Sequence, residues 1–454
     1  MKCIEDEIPF EVPEGWAWER LGNVSTIARG GSPRPIEKFL TDDIEGINWI
    51  KISDAAKDSK YILHTKEKIK PEGLSKTRYV CSGDFLLTNS MSFGRPYILK
   101  TDGCIHDGWL VIGNIDIVFN QDYLYYALSS DFMYTTLSLL AAGSTVKNLK
   151  SDTVRSVLFP IPPLKEQERM VHQLEELIAF ADVINADKNQ LVNIINQTKS
   201  KILDLAIRSK LVPQDPNDEP ASVLLERIRA EKEELIKQRK IKRDKKESVI
   251  FRGEDNSYYL NDGNTIIDIS DEIPFIIPDS WSWGKLKDIV IINPRNKLAD
   301  DTEVAFVPMS LIEDGYSGNH TSEIRKWKDV KTGFTHFKER DIGVAKITPC
   351  FENRKSVIFR NLCNGYGAGT TELHMLRSYK NTILPEYLLA YVKTNQFIEN
   401  GKQTFSGVVG QQRIGKEYIE NAYFPIPPIK EQYRIAKKIE DLFSYLNTIT
   451  NALT

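Results

Sequence analysis

A nine-residue stretch, Phe159-Pro160-Ile161-Pro162-Pro163-Leu164-Lys165-Glu166-Gln167, recurs 265 residues later as Phe424-Pro425-Ile426-Pro427-Pro428-Ile429-Lys430-Glu431-Gln432. The same shift lays Glu7-Ile8-Pro9-Phe10 on Glu272-Ile273-Pro274-Phe275, and Trp16 and Trp18 on Trp281 and Trp283. The residues between these marks are dissimilar. Two blocks in register at both ends predict one scaffold carrying two different inserts. Proline fixes φ and lacks an N–H. Each stretch therefore leaves a globular domain extended and opens a helix at its first turn.

The helices announce themselves by spacing. Val171, Leu174, Ile178, Ala181, Leu191, Ile195, Ile202 and Leu205 keep a register of threes and fours, interrupted by Asn185 and Lys188. Such a seam predicts a coiled-coil helix over about residues 165–208, roughly 65 Å long at 1.5 Å per residue. After the second copy, Ile435, Ile439, Leu442, Leu446, Ile449 and Leu453 continue the same spacing. Matching seams predict two helices packed on each other; the plainer alternative is two amphipathic helices in a bundle.

The fold class expected is α+β: two pseudo-repeated mixed α/β domains joined by long antiparallel coiled-coil helices. The first domain spans residues 1–158, with strands at 48–52 and 84–87 and one helix from Asp122 to about Leu140. A helical spacer follows over 159–250, broken by the prolines of residues 211–220 and resuming near Ala221 with Leu224, Leu225, Ile228, Leu235 and Ile236 on one side. Residues 251–271, polar and glycine-containing, read as a linker. The second domain spans 272–423, with a strand near 341–349, and a distal helix occupies 424–454. The two tryptophan pairs repeat, so they belong to the scaffold at each domain base.

Polar loops recur at matching places. The first domain has Arg29-Gly30-Gly31-Ser32-Pro33-Arg34-Pro35, the stretch 88–95 with Asn89, Ser92 and Arg95, and the stretch 143–150 with Lys147 and Asn148. The second has 350–355 with Asn353, Arg354 and Lys355, and 405–413 with Gln412 and Arg413. Arginine pairs with guanine and asparagine or glutamine with adenine, so such loops are suited to read base edges. Ordinary surface turns are the alternative. The basic run 237–246 is either a solvated helix end or a phosphate contact.

A net charge of −3 excludes a generally basic nucleic-acid coat, though not a local positive face. No stretch approaches 18 consecutive apolar residues, so no membrane span is expected. Five scattered cysteines without a C-x-x-C pair point to reduced thiols and a cytoplasmic protein. The six histidines form no metal pattern, and Cys104-Ile105-His106 alone is too little for one. There is no Walker loop, G-x-S-x-G, dinucleotide fingerprint or Asn-Pro-Pro-aromatic tetrapeptide. This pattern reads as a binding module without catalytic machinery.

On the duplicated Pro-x-Pro-Pro-Leu/Ile-x-Glu-Gln stretch and the Ile-Pro-x-x-Trp-x-Trp-type opening of each insert, the chain resembles the specificity subunits of type I restriction–modification enzymes. Asp204-Leu205-Ala206-Ile207 and Lys210-Leu211-Val212-Pro213-Gln214 support the resemblance, which covers nearly the whole length. It implies that the inserts are target recognition domains, each reading half of a split double-stranded DNA sequence. The helices form a spacer on which two modification subunits dock, and restriction subunits join them. Cofactors are expected on those partners: S-adenosylmethionine, and ATP with Mg. The chain itself is expected to be no enzyme and to hold no metal. The resemblance carries a DNA-reading role to Arg34, Asn89, Ser92, Arg95, Lys147 and Asn148, and to Asn353, Arg354, Lys355, Gln412 and Arg413. It carries a spacer role to Val171, Leu174, Ile178, Leu191, Ile195, Ile202, Leu205, Ile439, Leu442 and Leu446. Under the 265-residue shift Thr454 falls on Asn189 and Met1 on Ile266. Residues 190–265 thus lack a second copy, a departure that implies a half-paired long helix and a partial or inactive specificity allele as an alternative. Two other classes compete: a catalytic fusion, against which the missing motifs speak, and a coiled-coil scaffold with two protein- or ligand-binding heads.

Overall fold

A computed structural model describes residues 5–89, 92–141, 148–241, 243, 248–380 and 382–453. The chain divides into two compact units, Met1–Asn185 and Ala186–Thr454. In the first, one sheet orders Thr26–Arg29, Trp109–Gly113, Phe85–Thr88, Pro96–Leu99 and Tyr61–Ile62. A second sheet orders Leu40–Thr41, Glu67–Ile69, Ile47–Ile50, Gly103–Ile105 and Arg78–Val80. The second unit repeats this plan, with Val290–Ile292, Leu373–Ser378, Ile342–Ala345 and Ser356–Ile358 in one sheet. Its other sheet orders Glu323–Lys326, Glu303–Val307, Tyr366–Gly369 and Thr335–Lys338. Even the parallel pairing recurs, Trp49 beside Cys104 and Phe306 beside Ala368. The inserts therefore differ in sequence while sharing a topology. Central strands Phe85–Thr88 and Ile342–Ala345 are buried at every position, as strands covered on both faces must be.

The expected single helix at 122–140 is two, Gln121–Ser129 and Asp131–Leu140. Ser130 is the reason: its backbone is extended, and its hydroxyl accepts the Met133 N–H as an N-cap.

The repeated proline stretches do the same work in both units. Ala17–Arg20 pairs antiparallel with Leu158–Ile161, and Ser282–Lys285 with Tyr423–Ile426, placing Trp18 opposite Pro160 and Trp283 opposite Pro425. Just inside each following helix lies a fully buried glutamine. Gln167 donates to the carbonyls of Val118 (2.9 Å) and Pro162 (2.8 Å) and accepts the Asn120 N–H (2.8 Å). Gln432 donates to Pro427 (3.0 Å) and Thr382 (3.5 Å) and accepts the Leu384 N–H (2.8 Å). Asn120 and Leu384 directly precede the helices Gln121–Ser129 and Pro385–Val392. Tyr123 and Tyr387, from those helices, donate to the carbonyls of Pro160 (2.9 Å) and Pro425 (3.0 Å). The latch thus joins spacer helix, ribbon and domain helix.

The long helix Leu164–Ile207 has 44 residues, and the distal helix Ile429–Leu453 has 25. They run antiparallel: Ala206 and Ile207 share a core with Ile435, while Lys199 donates to Asn447 (2.7 Å) and lies over the Phe443 ring. Ile195 and Ile202 are buried in this seam; Leu205, Ile439, Leu442 and Leu446 are half-buried. Val171 is buried in the first unit's core. Leu174, Ile178 and Leu191, expected in the seam, are exposed instead, together with Leu177, Phe180 and Val183. The distal helix, about 37 Å at 1.5 Å per residue, is too short to cover them.

The helix Ala221–Lys237 lies where the sequence places it. The expected linker does not: Val249–Arg252, Tyr258–Asn261 and Ile266–Asp268 form an antiparallel three-stranded sheet. Its polar residues are turns, with Asn256 and Gly263 at φ +65° and +88°, and Ile250, Tyr258 and Ile269 enter the second unit's core. Of the basic run, Lys242, Asp244, Lys245 and Lys246 lie outside the described residues.

Replacing Gln432 by alanine strands the Leu384 N–H and the Pro427 carbonyl. At about 1–3 kcal/mol per buried unpaired group, the second unit is expected to lose about 2–6 kcal/mol. Urea unfolding checks this; an unmoved midpoint would mean that the glutamine is dispensable.

Candidate nucleic-acid interface

In each unit the polar loops are tied together at one end of a sheet by equivalent backbone hydrogen bonds. The Asn89 N–H meets the Gly108 carbonyl (3.0 Å), and the Leu149 N–H meets the Asn89 carbonyl (2.8 Å). In the second unit, Lys346 N–H meets Glu372 (3.0 Å) and Ile414 N–H meets Lys346 (3.0 Å). Gly30 and Gly31 join the first cluster through N–H bonds to Trp109 and Ile105. A Cβ on Gly30 would lie 2.2 Å from the His106 carbonyl, so only glycine fits there. Loop residues 29–35, 88–89, 92–95 and 148–150 thus converge in one unit, and 346–355, 370–372 and 405–413 in the other.

Asp107 organises the first cluster. Its carbonyl accepts from Arg29 Nε (2.9 Å) and Asn89 Nδ2 (2.7 Å); its carboxylate accepts from Ser32 (2.8 Å) and pairs with Arg34 (3.3 Å). Burial pushes the Asp107 carboxyl up, but the Ser32 hydrogen bond and the charges of His106, Arg29 and Arg34 outweigh it and hold it below its ordinary range. Asn89 is buried, and its Oδ1 has no hydrogen-bond partner among the described residues. Its Nδ2 ties loop 88–95 to the Asp107 carbonyl. Asn148 is half-buried with its Oδ1 likewise shielded. Three of the expected readers are presented: Arg34, whose side chain is 81% exposed; Ser92, exposed at φ +53°; and Arg95, half-buried over the Tyr97 ring. Lys147 lies outside the described residues.

The second cluster divides its side chains similarly. Asn353 is exposed and Gln412 half-buried, and neither side chain has a hydrogen-bond partner among the described residues. The three expected cations all have partners within the unit. Arg354, at φ +54°, donates to the Lys393 carbonyl (3.0 Å) and to Asn395, and lies over the Tyr316 ring. Lys355 meets the Met309 carbonyl (3.3 Å) and Asp314 (3.2 Å). Arg413 grips Glu372 with two bonds of 2.9 and 3.0 Å, which holds that carboxyl below its ordinary range. A guanidinium paired in this way holds the loop. Lys346, at the position equivalent to Asn89, was not singled out from sequence. Its signal was its place directly after the strand Ile342–Ala345.

The family model described as "Type I restriction modification DNA specificity domain" matches residues 13–193 and 278–454. The chain belongs to that family. The two matched segments each contain one latch and one loop cluster. Relatives include the EcoAI specificity subunit of Escherichia coli, 46% identical over 252 residues, covering 55% of this chain and 40% of the relative. The EcoEI specificity subunit, also of Escherichia coli, is 45% identical over 243 residues, covering 53% and 38%. The chain thus spans well under half the length of these two relatives. The EcoKI specificity subunit of Escherichia coli K12 is 23% identical over 461 residues, covering 97% of this chain and 84% of the relative. Among solved structures, the HsdS subunit from Thermoanaerobacter tengcongensis shares the fold at TM-score 0.55, with 17% identity over 98% of this chain and 93% of that one. A chain from work on complex assembly and conformational transition of the type I R-M system gives TM-score 0.59, 17% identity, and coverage of 98% and 94%.

In this specificity-domain fold, one residue that sequence gave no reason to choose holds the second cluster. Lys393 is buried; its ammonium donates to the carbonyls of Arg354 (3.0 Å) and Gly315, and the Gly315 N–H in turn meets the Asn353 carbonyl (2.8 Å). Burial, helped by the charge of Arg354 and opposed by Asp314 and Glu313, draws its pKa down to about 7. A lysine depressed in the folded state binds fewer protons there than when unfolded, so its contribution to stability rises with pH between about 7 and its unfolded value near 10.4. Lys393→Met is expected to flatten that rise. Urea midpoints of parent and variant from pH 7 to 10 check it; parallel curves would contradict it.

Proposed function

We propose that this chain is the non-catalytic specificity subunit of a type I restriction–modification complex and reads a bipartite double-stranded DNA target, one half-site per unit. The observation that carries the proposal is the duplicated loop cluster. The same backbone knot in both units presents different side chains: Arg34, Ser92 and Arg95 in one, Lys346, Asn353 and Gln412 in the other. Arginine suits guanine O6/N7, and asparagine or glutamine suits adenine N6/N7, so two clusters of unlike content suit two unlike half-sites. Joining two weak readers on one chain turns the second binding event into an intramolecular one. Membership of the specificity-domain family, and relatives named specificity subunits, support the same reading.

The exposed stripe Leu174, Leu177, Ile178, Phe180 and Val183 is the proposed seat of the modification subunits on the spacer helix. Those partners bind S-adenosylmethionine and methylate adenine, and restriction subunits using ATP and Mg cleave. Such a complex works in the cytoplasm. No described helix is long and apolar enough to cross a membrane.

The test is selection from a random duplex pool with the chain bound to its modification subunits. Retained duplexes are expected to share two specified blocks separated by a fixed gap. Retention without any common sequence, or none at low salt, would favour the scaffold with protein-binding heads.

A further inference from the structure

A half-site reader needs cations for the phosphates as well as donors for the bases. In the second unit Arg354, Lys355 and Arg413 all have internal partners, and Asn353 and Gln412 carry no charge. Two further cations lie in a loop that the sequence gave no reason to choose, Asn293-Pro294-Arg295-Asn296-Lys297-Leu298.

The topology puts this loop where the first unit has loop 29–35. In the first unit Thr26–Arg29 runs antiparallel to Trp109–Gly113, with Arg29 opposite Leu110. In the second, Val290–Ile292 runs likewise against Leu373–Ser378, with Ile292 opposite Leu376. The Asn293 N–H then meets the Met375 carbonyl (2.8 Å), and its Oδ1 takes the Met375 N–H (2.9 Å). The loop therefore leaves at the end where Leu373–Ser378 begins, beside Glu372 of the cluster. Both loops next meet the edge strand of the other sheet. Arg78 Nε donates to the Arg29 carbonyl (3.2 Å) in the first unit. In the second, Arg295 Nη1 donates to the Phe334 carbonyl (3.0 Å) and Asn296 Nδ2 to the Phe337 carbonyl (2.8 Å).

Asn296 is held from its other side by Arg377, which donates to its Oδ1 (3.1 Å). Arg377 also grips the almost wholly buried Asp341 carboxylate with bonds of 2.9 and 2.7 Å. The loop is thus fixed on a buried ion pair, while Arg295 and Lys297 on either side of Asn296 are exposed. Lys297 makes no hydrogen bond or ion pair among the described residues. Asp300, the nearest acid in sequence, is taken by Lys331 (2.8 Å).

We infer that loop 293–298 is a further recognition loop of the second unit, in which Arg295 reads a guanine edge and Lys297 meets a phosphate. The inference rests on the DNA reading proposed above. Arg295 is assigned the base because the Phe334 carbonyl anchors its guanidinium, and an oriented planar donor set suits guanine O6 and N7. Lys297 has no such anchor and supplies a point charge.

The test measures duplex binding by the chain with its modification subunits, using the target that the parent selects and duplexes altered at each of its base pairs. Arg295→Ala is expected to lose about tenfold or more in affinity and to lose discrimination at one G·C pair of one block. Arg34→Ala should relax the other block instead. Arg295→Lys keeps the charge without the planar donors and should behave like Arg295→Ala. Lys297→Ala should weaken all duplexes alike and lower the slope of log affinity against log salt by about 0.9. Both side chains are exposed, so urea midpoints should match the parent. A parent that selects two blocks, with an Arg295→Ala variant that still discriminates at every position, would overturn the inference and leave the DNA reading standing. Arg295→Lys indistinguishable from the parent would overturn it in favour of a phosphate contact, and an unchanged salt slope in Lys297→Ala would overturn the phosphate assignment. A parent that selects no common sequence would overturn both the inference and the reading beneath it.

Discussion

A buried carboxamide with backbone partners on both sides is the interaction on which the rest depends. Gln167 and Gln432 each take an N–H that precedes a domain helix and give their own N–H groups to carbonyls that the proline stretch leaves without ladder partners. An unmet group at such depth costs about 1–3 kcal/mol, so the side chain must be an amide of that length. A glutamate would lack the donor, and an asparagine would lack the reach. With the latch closed, the direction of the spacer helix relative to its own domain is set by three bonds.

Much of this was legible in the sequence. Prolines, tryptophans and the Gln-bearing helix start recur at one fixed shift because the same backbone geometry must be built twice, and backbone geometry tolerates few residue types. Heptad spacing foretold the long helix to within a residue at each end. The inserts were harder. Their shared topology is invisible in residues that are buried by generic apolar side chains, Phe85 in one unit and Ile342 in the other. The supposed linker failed for a related reason: turn residues dominate its composition, while three buried side chains, Ile250, Tyr258 and Ile269, decide its structure.

The loop clusters show why composition overstates a recognition site. Asn89, Arg354, Lys355 and Arg413 have the chemistry of base readers, yet each is tied down by partners distant in sequence: Asp107, Lys393, Met309 and Glu372. Such partners cannot be named before the fold is known. A loop that must present a few side chains at a groove needs others spent on holding its backbone, and the same residue types do both. Exposure divides the presented residues further: Arg34 and Ser92 in one unit and Asn353 in the other are the exposed ones, while Arg95, Lys346 and Gln412 are half-buried.

The most direct measurement is genome-wide adenine methylation in a methylation-free host. The host would express the modification subunit with either the parent chain or a chain carrying Asn353→Ala and Gln412→Ala. Two independent readers on one scaffold predict a split motif with a fixed gap in the parent. In the double variant, one block is relaxed while the other block and the gap are unchanged. A motif altered in both blocks, or a continuous motif in the parent, would contradict the assignment of one half-site to each unit.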